Sequence, residues 1–551
     1  MFIKHCFKNI PLWRGYLYAS LVLFVGLLLF AILSNWDSAH LFITDDLTFC
    51  FSLGQQVAEG AIPLVGLPSH VGARHFAPCY LWLCGLVHLM SAGKIEIFFL
   101  IFSLIKIAGL YCFCQLLLLL AKLILSNLED RLLIICVFLT AIINSHSLWL
   151  IRFEWVNNLM PTVTVFSLFI FALIHIRGLR YWPLFLLTSV TLLSFHLGML
   201  PVLAGQIVTL IARATIDPTF RSSIKTNGSL KPKSVWAIFL ATPLLIAPLC
   251  YELFYFPNII TTIQSQLATS ELAKSGIIEA TSLFLTTTIR SITPLWSDFF
   301  SHYITAAWLI LSILALAKLW RAKALPLFWV FLSCLISSLL AIFGAAQQTH
   351  LLDYFYNGLI PCFWLQAMTL VIILLSYCQR LLTERRQIFF SLILVLLIAG
   401  AASGMLQARK KFLSQPIPAF SSLQHAQNMA KILKADAKQQ VERTKILVVG
   451  ERKLRKDAYQ LLINPRAHFK LHYSRRMLEF PQMQKTRQTD QLAYLISCSS
   501  NVNKLTDANL FGKKIEKNWE FERELDLTSC DSCQSCRVLR LVPRRSAPPA
   551  R

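Results

Sequence analysis

The sequence predicts an α-helical polytopic membrane protein with about 11 transmembrane helices and a small C-terminal α/β domain. Hydrophobic residues make up 56% of the 551 residues and charged residues only 15%, whereas soluble domains average about 45–50% and about 25%. Basic charge is concentrated near the end, where residues 407–551 contain 28 Lys and Arg against 13 Asp and Glu. This composition excludes a soluble enzyme, a disordered chain and a disulfide-rich secreted module. It divides the chain into a membrane part, 1–406, and a polar part, 407–551.

The membrane part contains eleven apolar segments that are candidates for spans. A spanning helix needs about 20 predominantly apolar residues to cross about 30 Å of hydrocarbon. The clearest candidates are Tyr16–Leu33, Ile95–Leu125, Leu132–Leu150, Val235–Tyr251, Leu325–Gly344, Leu359–Tyr377 and Ile388–Leu406. Four weaker candidates are Pro161–Ile176, Pro183–Phe195, Leu197–Ile211 and Ile304–Ala317. We interpret the first segment as a retained span rather than a signal peptide, because no small-x-small cleavage site follows it.

The distribution of basic residues predicts the orientation of these spans. With the N-terminus in the cytoplasm, 18 Lys and Arg flank the spans on the cytoplasmic side and 5 lie in the outer loops, as the positive-inside rule requires. The same charges favour two short spans that turn at His196-Leu197-Gly198 over one long helix through residues 183–211. Eleven spans then place residues 407–551 in the periplasm, outside a bacterial inner membrane. Of the 15 acidic residues before residue 407, eleven fall on the outer side, where we expect any carboxylate chemistry.

The first outer loop, residues 34–94, contains the acidic pair Asp45-Asp46. The residues after this pair have helical periodicity up to Gly60, and glycine commonly ends a helix. A Pro–aromatic segment, Pro78-Cys79-Tyr80-Leu81-Trp82, follows later in the loop. One interpretation is purely structural, because acidic residues stabilise the positive end of a helix dipole on any surface helix.

The spacing of these features supports a functional interpretation. The loop resembles the first periplasmic loop of GT-C-fold glycosyltransferases. It shares with them an acidic pair after the first span, a Gly 15 residues later and a Pro–aromatic segment. These glycosyltransferases include the protein O-mannosyltransferases, the lipid-A aminoarabinose transferases and related families that use dolichyl- or polyprenyl-phosphate sugars. The resemblance implies that Asp45 is the general base and that Asp46 positions it or binds a divalent cation. It also implies that Cys79–Met90 is an interfacial helix along the membrane surface.

The same resemblance implies contacts to the lipid phosphate of the donor. Many relatives carry Lys or His immediately before the Pro of the Pro–aromatic segment, whereas this chain has Ala77. Arg74 and His75 are close enough in sequence to supply that charge. In the second outer loop, Arg152 is a candidate for bidentate phosphate binding, as guanidinium groups commonly bind phosphate.

Four more residues complete the candidate site. By the same resemblance, Glu154 is a candidate catalytic acid and Asn157 a candidate amide in the second outer loop, while His196 and Tyr354 lie in later outer turns. Each has a structural alternative, because polar turns and aromatic anchors are normal at membrane interfaces. A lone His at such a turn is also commonly a hydrogen-bonded structural residue.

The predicted function is therefore transfer of a sugar from a polyprenyl-phosphate donor to a hydroxyl of a cell-envelope glycan, lipid or protein. Membrane lipids are expected partners and nucleic acid is not. No cofactor is required, and Asp45 and Asp46 are an optional site for a divalent cation. A multi-span transporter or a flippase of lipid-linked glycans is an alternative, since Lys106 lies inside a predicted span and intramembrane charges are commonly functional. A polysaccharide ligase or polymerase is a third possibility.

The polar part predicts a small α/β domain. Ser421–Gln440 has a helical pattern, while Lys445–Gly450 and Gln491–Cys498 have the pattern of buried strands. Four cysteines lie here: Cys498, Cys530, Cys533 and Cys536. A periplasmic location favours disulfides, with free thiols or a zinc site as alternatives.

Overall fold

The structure is a computed structural model, and it describes residues 26, 45–60, 63, 78–142, 156–227, 236, 238–243, 246, 277–290, 301–346, 353–381, 423–437, 444–448, 492–498, 519–527 and 536–543. The chain divides into two compact units. The larger unit comprises Met1–Ala31, Leu64–Tyr80 and Phe102–Phe412. The smaller unit comprises Ile32–Pro63, Leu81–Ile101 and Leu413–Arg551.

Helices dominate the described part of the membrane region. In chain order they are α1 (Asp45–Ala58), α2 (Cys79–Met90), α3 (Ile95–Ala121), α4 (Leu128–Ile142), α5 (Val156–Arg177), α6 (Trp182–Phe195), α7 (Leu200–Ile216), α8 (Pro218–Asn227), α9 (Ile277–Arg290), α10 (Ser301–Arg321), α11 (Leu325–Ala346) and α12 (Ile360–Leu381). Short 3-10 segments at Leu179–Tyr181, Leu197–Met199 and Asp353–Leu359 connect some of them. The mostly helical, polytopic fold predicted from the sequence is confirmed.

Four helices among the described residues are long and apolar enough to cross a membrane, namely Ile95–Ala121, Asn157–Arg177, Leu325–Ala346 and Tyr356–Tyr377. The predicted count of eleven spans is not confirmed. One predicted span, Ile388–Leu406, lies outside the described residues, and so do all of Tyr16–Leu33 except residue 26 and about half of Val235–Tyr251.

The weaker span candidates are all helical, as α5, α6, α7 and α10. The predicted break at His196-Leu197-Gly198 is also present, because α6 ends at Phe195 and α7 begins at Leu200 after a 3-10 turn. His196 is extended, with φ −164° and ψ 134°, so the helical path is interrupted there. Two Pro residues assist, since α6 and α7 each have Pro at a first-turn position where no backbone donor is needed.

The larger unit is held together by close packing and by hydrogen bonds between helices. A Cβ added to Gly205 of α7 would lie 2.7 Å from the carbonyl oxygen of Ser333 in α11, so this contact requires glycine. The Ser167 hydroxyl in α5 donates to Gln206 Oε1 in α7 at 3.0 Å. Small residues and polar bonds of this kind replace the hydrophobic effect as the force that joins helices inside a membrane.

The polar part forms a helix and a four-stranded sheet in the smaller unit. The helix is α13 (Leu423–Ala437), and the strands are β1 (Thr444–Val448), β2 (Leu492–Cys498), β3 (Trp519–Glu524) and β4 (Cys536–Pro543). The strand order is β1-β2-β4-β3; β1 and β2 pair in parallel, and the other two pairs are antiparallel. The helix and the first two strands match the predicted α/β domain. The sequence reading missed β3 and β4, because β3, Trp-Glu-Phe-Glu-Arg-Glu, and β4 both carry charged residues within short runs.

Candidate functional site

The predicted acidic pair forms the beginning of a helix. Asp45 and Asp46 are the first two residues of α1, where the partial positive charge of the helix dipole stabilises carboxylates. Their side chains lie outside the described part of the chain. The next turn is buried through Cys50, Phe51 and Leu53, so the helix that carries the pair is firmly packed.

Glycines bring α1 and α2 into close contact. A Cβ added to Gly54 of α1 would lie 2.6 Å from the Cys84 carbonyl oxygen of α2. Gly85 of α2 is equally constrained, because its added Cβ would lie 2.7 Å from Val57 Cβ. The Trp82 indole N–H also donates to the carbonyl of Pro63, the only described residue between Gly60 and Pro78, at 3.0 Å. The position of α1 is therefore fixed by backbone packing, while the helix stops as predicted, with Gly60 at φ +99°.

The other end of α1 carries an acid beside a histidine. Burial lowers the pKa of His88 in α2, and the nearby charge of Glu59 opposes this shift. The His88 ring packs 4.8 Å from the ring of Phe51, between centroids. Glu59 lies just after the C-terminal end of α1, more than three helical turns from Asp45, and so provides a matched control position.

In the larger unit, three segments that carry predicted site residues meet. We call this meeting point the Met199 junction: the start of α5, the Leu197–Met199 turn and the Asp353–Leu359 segment. The Thr164 hydroxyl of α5 donates to the Gly358 carbonyl at 2.7 Å and lies 3.4 Å from Met199 Sδ. A Cβ on Gly358 would lie 2.6 Å from Met199 Sδ and 3.6 Å from Met160 Cβ. Residues about 160 positions apart in sequence are thus in van der Waals contact.

Asn157 lies in the first turn of α5, at the Met199 junction. Its side chain is 4% exposed, and among the described residues its Oδ1 has no hydrogen-bond partner. A buried amide oxygen without a donor costs about 1–3 kcal/mol. The arrangement therefore leaves Asn157 with an unused acceptor, as expected for a residue that binds a hydroxyl or an N–H group.

His196 has a defined tautomer at this junction. Its Nδ1 accepts a hydrogen bond from the Gly198 backbone N–H at 2.9 Å, and its carbonyl accepts from Met199 N–H at 3.0 Å. Because Nδ1 is an acceptor, the proton of the neutral ring is on Nε2. In the neutral ring, Nε2 is therefore a hydrogen-bond donor rather than an acceptor.

The segment that contains Tyr354 is anchored by its neighbours. Tyr356 is 1% exposed and donates its hydroxyl proton to the Ala280 carbonyl of α9 at 3.0 Å. Its ring also packs edge-on against Phe284, with centroids 5.4 Å apart. Tyr356 and Gly358 thus fix the middle and the C-terminal part of the segment, while the Tyr354 side chain lies outside the described part.

The Pro–aromatic segment contributes Tyr80 to the larger unit. Its ring is 2% exposed and packs against Phe102 and Phe195, with centroid distances of 6.4 and 6.2 Å. Phe195 directly precedes His196, so Tyr80 supports the turn that presents the histidine. The segment begins the predicted interfacial helix, and α2 has the predicted bounds Cys79–Met90. At about 1.5 Å per residue, its 12 residues are too short to span a bilayer.

The remaining predicted residues cannot be placed. Arg74, His75, Arg152 and Glu154 lie outside the described residues. Lys106 is described and is 4% exposed within α3. Among the described side chains, no group of three or more His, Cys, Asp or Glu is arranged to hold a metal ion. The divalent cation at Asp45 and Asp46 stays a prediction.

Sequence reasoning missed Thr164, Met199 and Gly358, which join the segments that contain or adjoin Asn157, His196 and Tyr354. Thr164 and Gly358 have no local sequence signal, because their contact joins positions 194 residues apart. The sequence around Gly54 and Gly85 also did not indicate a close contact between helices, since each glycine is compatible with an ordinary helix.

Solved structures that match this chain in fold include two structures of one protein. The crystal structure of ArnT from Cupriavidus metallidurans in the apo state has a TM-score of 0.53 and 12% sequence identity, covering 94% of this chain and 97% of that chain. The crystal structure of the same protein bound to undecaprenyl phosphate has a TM-score of 0.50 and 12% identity, covering 96% of this chain and 99% of that chain. No family model and no curated protein matches the chain. The chain therefore has an ArnT-like polytopic membrane fold, in agreement with the fold class predicted from the sequence.

Proposed function

We propose that this protein transfers a sugar from a polyprenyl-phosphate donor to a hydroxyl of a cell-envelope acceptor, on the outer face of a bacterial inner membrane. The ArnT-like fold over nearly the whole chain supports this most strongly. One of the matching ArnT crystal structures contains bound undecaprenyl phosphate. The acidic pair at the start of α1 supplies the chemical group that such a transfer needs. The acceptor is a glycan, a lipid or a protein of the envelope.

Asp45 acts as the general base in this proposal. Its carboxylate accepts the proton of the acceptor hydroxyl while the oxygen attacks the anomeric carbon of the sugar. The bond from that carbon to the phosphate oxygen breaks, and polyprenyl phosphate leaves with the electron pair. Asp46 positions Asp45 or holds a divalent cation that neutralises the leaving phosphate. Glu154 is the second carboxylate of the proposed site.

The donor is held by neutral and cationic side chains of the outer loops. Asn157 has a buried amide oxygen that is free to accept from a sugar hydroxyl. His196 has its ring proton on Nε2 and can donate to a phosphate oxygen. Arg74, His75 and Arg152 supply the charge that a phosphate group requires, and Tyr354 completes the donor contacts.

The test compares cell-envelope glycans, lipid A and glycoproteins, by mass spectrometry, in cells with and without the gene. We expect loss of one sugar modification, which wild-type protein restores and Asp45→Asn does not. Glu59→Gln is the matched control, because Glu59 is exposed at the opposite end of the same helix and should restore the modification fully.

Two outcomes would reject the proposal. Full restoration by Asp45→Asn, at equal protein abundance, would remove the general base. Unchanged glycans together with ion-dependent substrate uptake into vesicles would instead favour the transporter alternative, in which Lys106 has the central role.

A further inference from the structure

Two cysteines are paired in register on the two inner strands of the C-terminal sheet. Strands β2 and β4 pair in antiparallel register from Ala493 opposite Leu541 to Cys498 opposite Cys536. These strands are the two inner strands of the order β1-β2-β4-β3. The last pair of the ladder therefore consists of two cysteines that are 38 positions apart in sequence.

The register meets the geometric requirement for a disulfide. Directly opposed residues of an antiparallel pair have Cα atoms about 4.5 or 5.5 Å apart and lie on the same face of the sheet. Disulfides join residues with Cα atoms about 4.4–6.8 Å apart. The strand register thus brings the Cα atoms of Cys498 and Cys536 into the range of separations that disulfides span.

We propose that Cys498 and Cys536 form a disulfide in the mature protein. Four cysteines allow three pairings of two disulfides, and the strand register selects the one that contains this bond. Cys530 and Cys533, which lie outside the described residues, remain as a C-x-x-C pair. The proposal rests on the register and on the predicted periplasmic location, and it does not depend on the identity of the donor or the acceptor.

The bond forms by thiol–disulfide exchange. One cysteine thiolate attacks the disulfide of an oxidised envelope thiol oxidoreductase, giving a mixed disulfide, and the second cysteine displaces the oxidoreductase. The two thiols lose two protons and two electrons, and the disulfide of the oxidoreductase becomes a dithiol. Cytoplasmic proteins rarely keep such bonds, because cytoplasmic thiols are held reduced.

The bond would secure a polar cluster on the same strands. Tyr494 of β2 lies opposite Arg540 of β4. The Tyr494 hydroxyl donates to Asp436 Oδ2 at 2.5 Å, and Arg540 donates to the same oxygen at 2.9 Å. Asp436 belongs to α13, so a covalent link between β2 and β4 would stabilise the packing of this helix against the sheet.

The test uses the full-length protein in native membranes, alkylated with iodoacetamide before any reduction and then digested with trypsin. Cleavage after basic residues gives one peptide, 488–504, that contains Cys498 alone, and another, 524–537, that contains Cys530, Cys533 and Cys536. We expect these two peptides to be joined and to separate after reduction. In the Cys530→Ser/Cys533→Ser variant the joined pair should persist, whereas Cys536→Ser should abolish it.

Three results would overturn the proposal. Alkylated Cys498 and Cys536 in the unreduced wild-type protein would show free thiols. A joined pair that is lost in Cys530→Ser/Cys533→Ser and retained in Cys536→Ser would show a different pairing. Stoichiometric zinc that protects all four thiols until a chelator is added would show a metal site. Fragment spectra of the joined wild-type peptides assign the bonded residues directly if a variant fails to accumulate.

Discussion

The Cys84 carbonyl oxygen of α2 occupies the space that a side chain at Gly54 of α1 would need. The added Cβ would lie 2.6 Å from that oxygen and 3.1 Å from the carbonyl carbon. Backbone atoms cannot move aside as a flexible side chain can, so any larger residue must displace α1. The displaced helix begins with Asp45 and Asp46, so packing at Gly54 controls where the proposed base lies.

We therefore predict that Gly54→Ala lowers transfer more than it lowers stability. Overpacking of this kind costs about 1–3 kcal/mol, whereas a shift of about 1 Å in a catalytic group costs on the order of 100-fold in rate. Transfer of the sugar by purified protein in proteoliposomes measures the rate, and the thermal midpoint in detergent measures stability. The rate should fall about 10- to 100-fold in protein that remains folded at the assay temperature.

Gly344→Ala is the control for this substitution. Gly344 lies near the end of α11, and its added Cβ would meet no atom within 4 Å. Alanine is a better helix former than glycine by about 1 kcal/mol, so this variant should keep full activity with equal or slightly higher stability. Equal activity of Gly54→Ala and wild type would show that the position of α1 does not govern the reaction.

The sequence predicted where helices begin and end better than it predicted which helices contact each other. Cys79–Met90, the turn at His196 and the helix stop at Gly60 follow from local signals, namely apolar run length, charge placement and glycine position. The contacts of Gly54 with Cys84 and of Thr164 with Gly358 depend on which helices are neighbours. No local pattern encodes that information. Strands β3 and β4 were not predicted, because charged residues interrupt their apolar pattern. Two of these residues, Arg523 and Arg540, form ion pairs with Asp436.

Thr164→Val should loosen the Met199 junction. The substitution keeps the shape of the side chain but removes the donor to the buried Gly358 carbonyl, at a cost of about 1–3 kcal/mol. We expect a lower thermal midpoint in detergent and weaker binding of the donor, measured as a higher KM, because the segment carrying Tyr354 loses one anchor. Thr191→Val is the control, since the Thr191 hydroxyl donates to the Leu187 carbonyl within its own helix. Identical midpoints for the two variants would contradict the structural role of this hydrogen bond.

Arg213 at the end of α7 joins three helices through one guanidinium group. Its Nη1 lies 2.7 Å from His175 Nδ1 and donates to the His175 carbonyl at 3.0 Å, while Nε pairs with Asp217 Oδ2 at 3.3 Å. The guanidinium carbon also lies 4.3 Å from the centroid of the Phe220 ring. Since arginine is only a donor, His175 accepts through Nδ1.

Arg213→Met should therefore leave two acceptors of His175 buried without a donor, at about 1–3 kcal/mol each. Thermal denaturation of the full chain in detergent should show a clearly lower midpoint temperature. Lysine should not rescue it, because an ammonium group lacks the planar fork of guanidinium. Arg221→Met is the control, because Arg221 is exposed and donates to two carbonyls in the last turn of α7; its effect should stay within about 0.5 kcal/mol.

Acid should destabilise the C-terminal domain through Asp436. Burial raises the pKa of its carboxyl, but the hydrogen bond from Tyr494 and the charges of Arg540 and Arg523 outweigh this and hold the pKa below its ordinary value. A lowered pKa adds stability above the unfolded-state value of about 3.9 and loses it as the pH falls through the folded-state value. Hydrogen exchange of β2 and β4 amides in the full chain, corrected for intrinsic rates, should show protection falling below about pH 4.

Asp436→Asn should abolish this acid dependence and lower protection at neutral pH. Glu522→Gln is the matched control, because Glu522 also pairs with Arg540, at 2.7 Å, but is 39% exposed. Exposed pairs contribute about 0–1 kcal/mol, so protection at neutral pH should change little. An unaltered acid profile in Asp436→Asn would assign the pH dependence to other carboxyl groups.

A side-chain contact within the smaller unit bears on the topology. Gln427 of α13 donates its amide N–H to Glu96 Oε1, in the first turn of α3, at 2.9 Å. Glu96 follows the first outer loop directly, so the two residues must be on the same side of the membrane. The charge distribution predicts that this side is the periplasm, which agrees with an odd number of spans before residue 407.

We predict that alkaline phosphatase fused after Lys411 is active and that a green fluorescent reporter at the same point is dark, because the first requires the periplasm and the second the cytoplasm. A fusion after Lys323, in the basic connection between α10 and α11, is the matched control and should give the opposite pair of signals. A fluorescent fusion after Lys411 would mean that an odd number of the predicted spans is wrong. Since α6, α7 and α10 are the shortest or most polar candidates, the first segments to re-examine would be Pro183–Ile211 and Ile304–Ala317. A cytoplasmic domain would also remove the oxidising environment that the Cys498–Cys536 bond requires, so this fusion tests a premise that both proposals share.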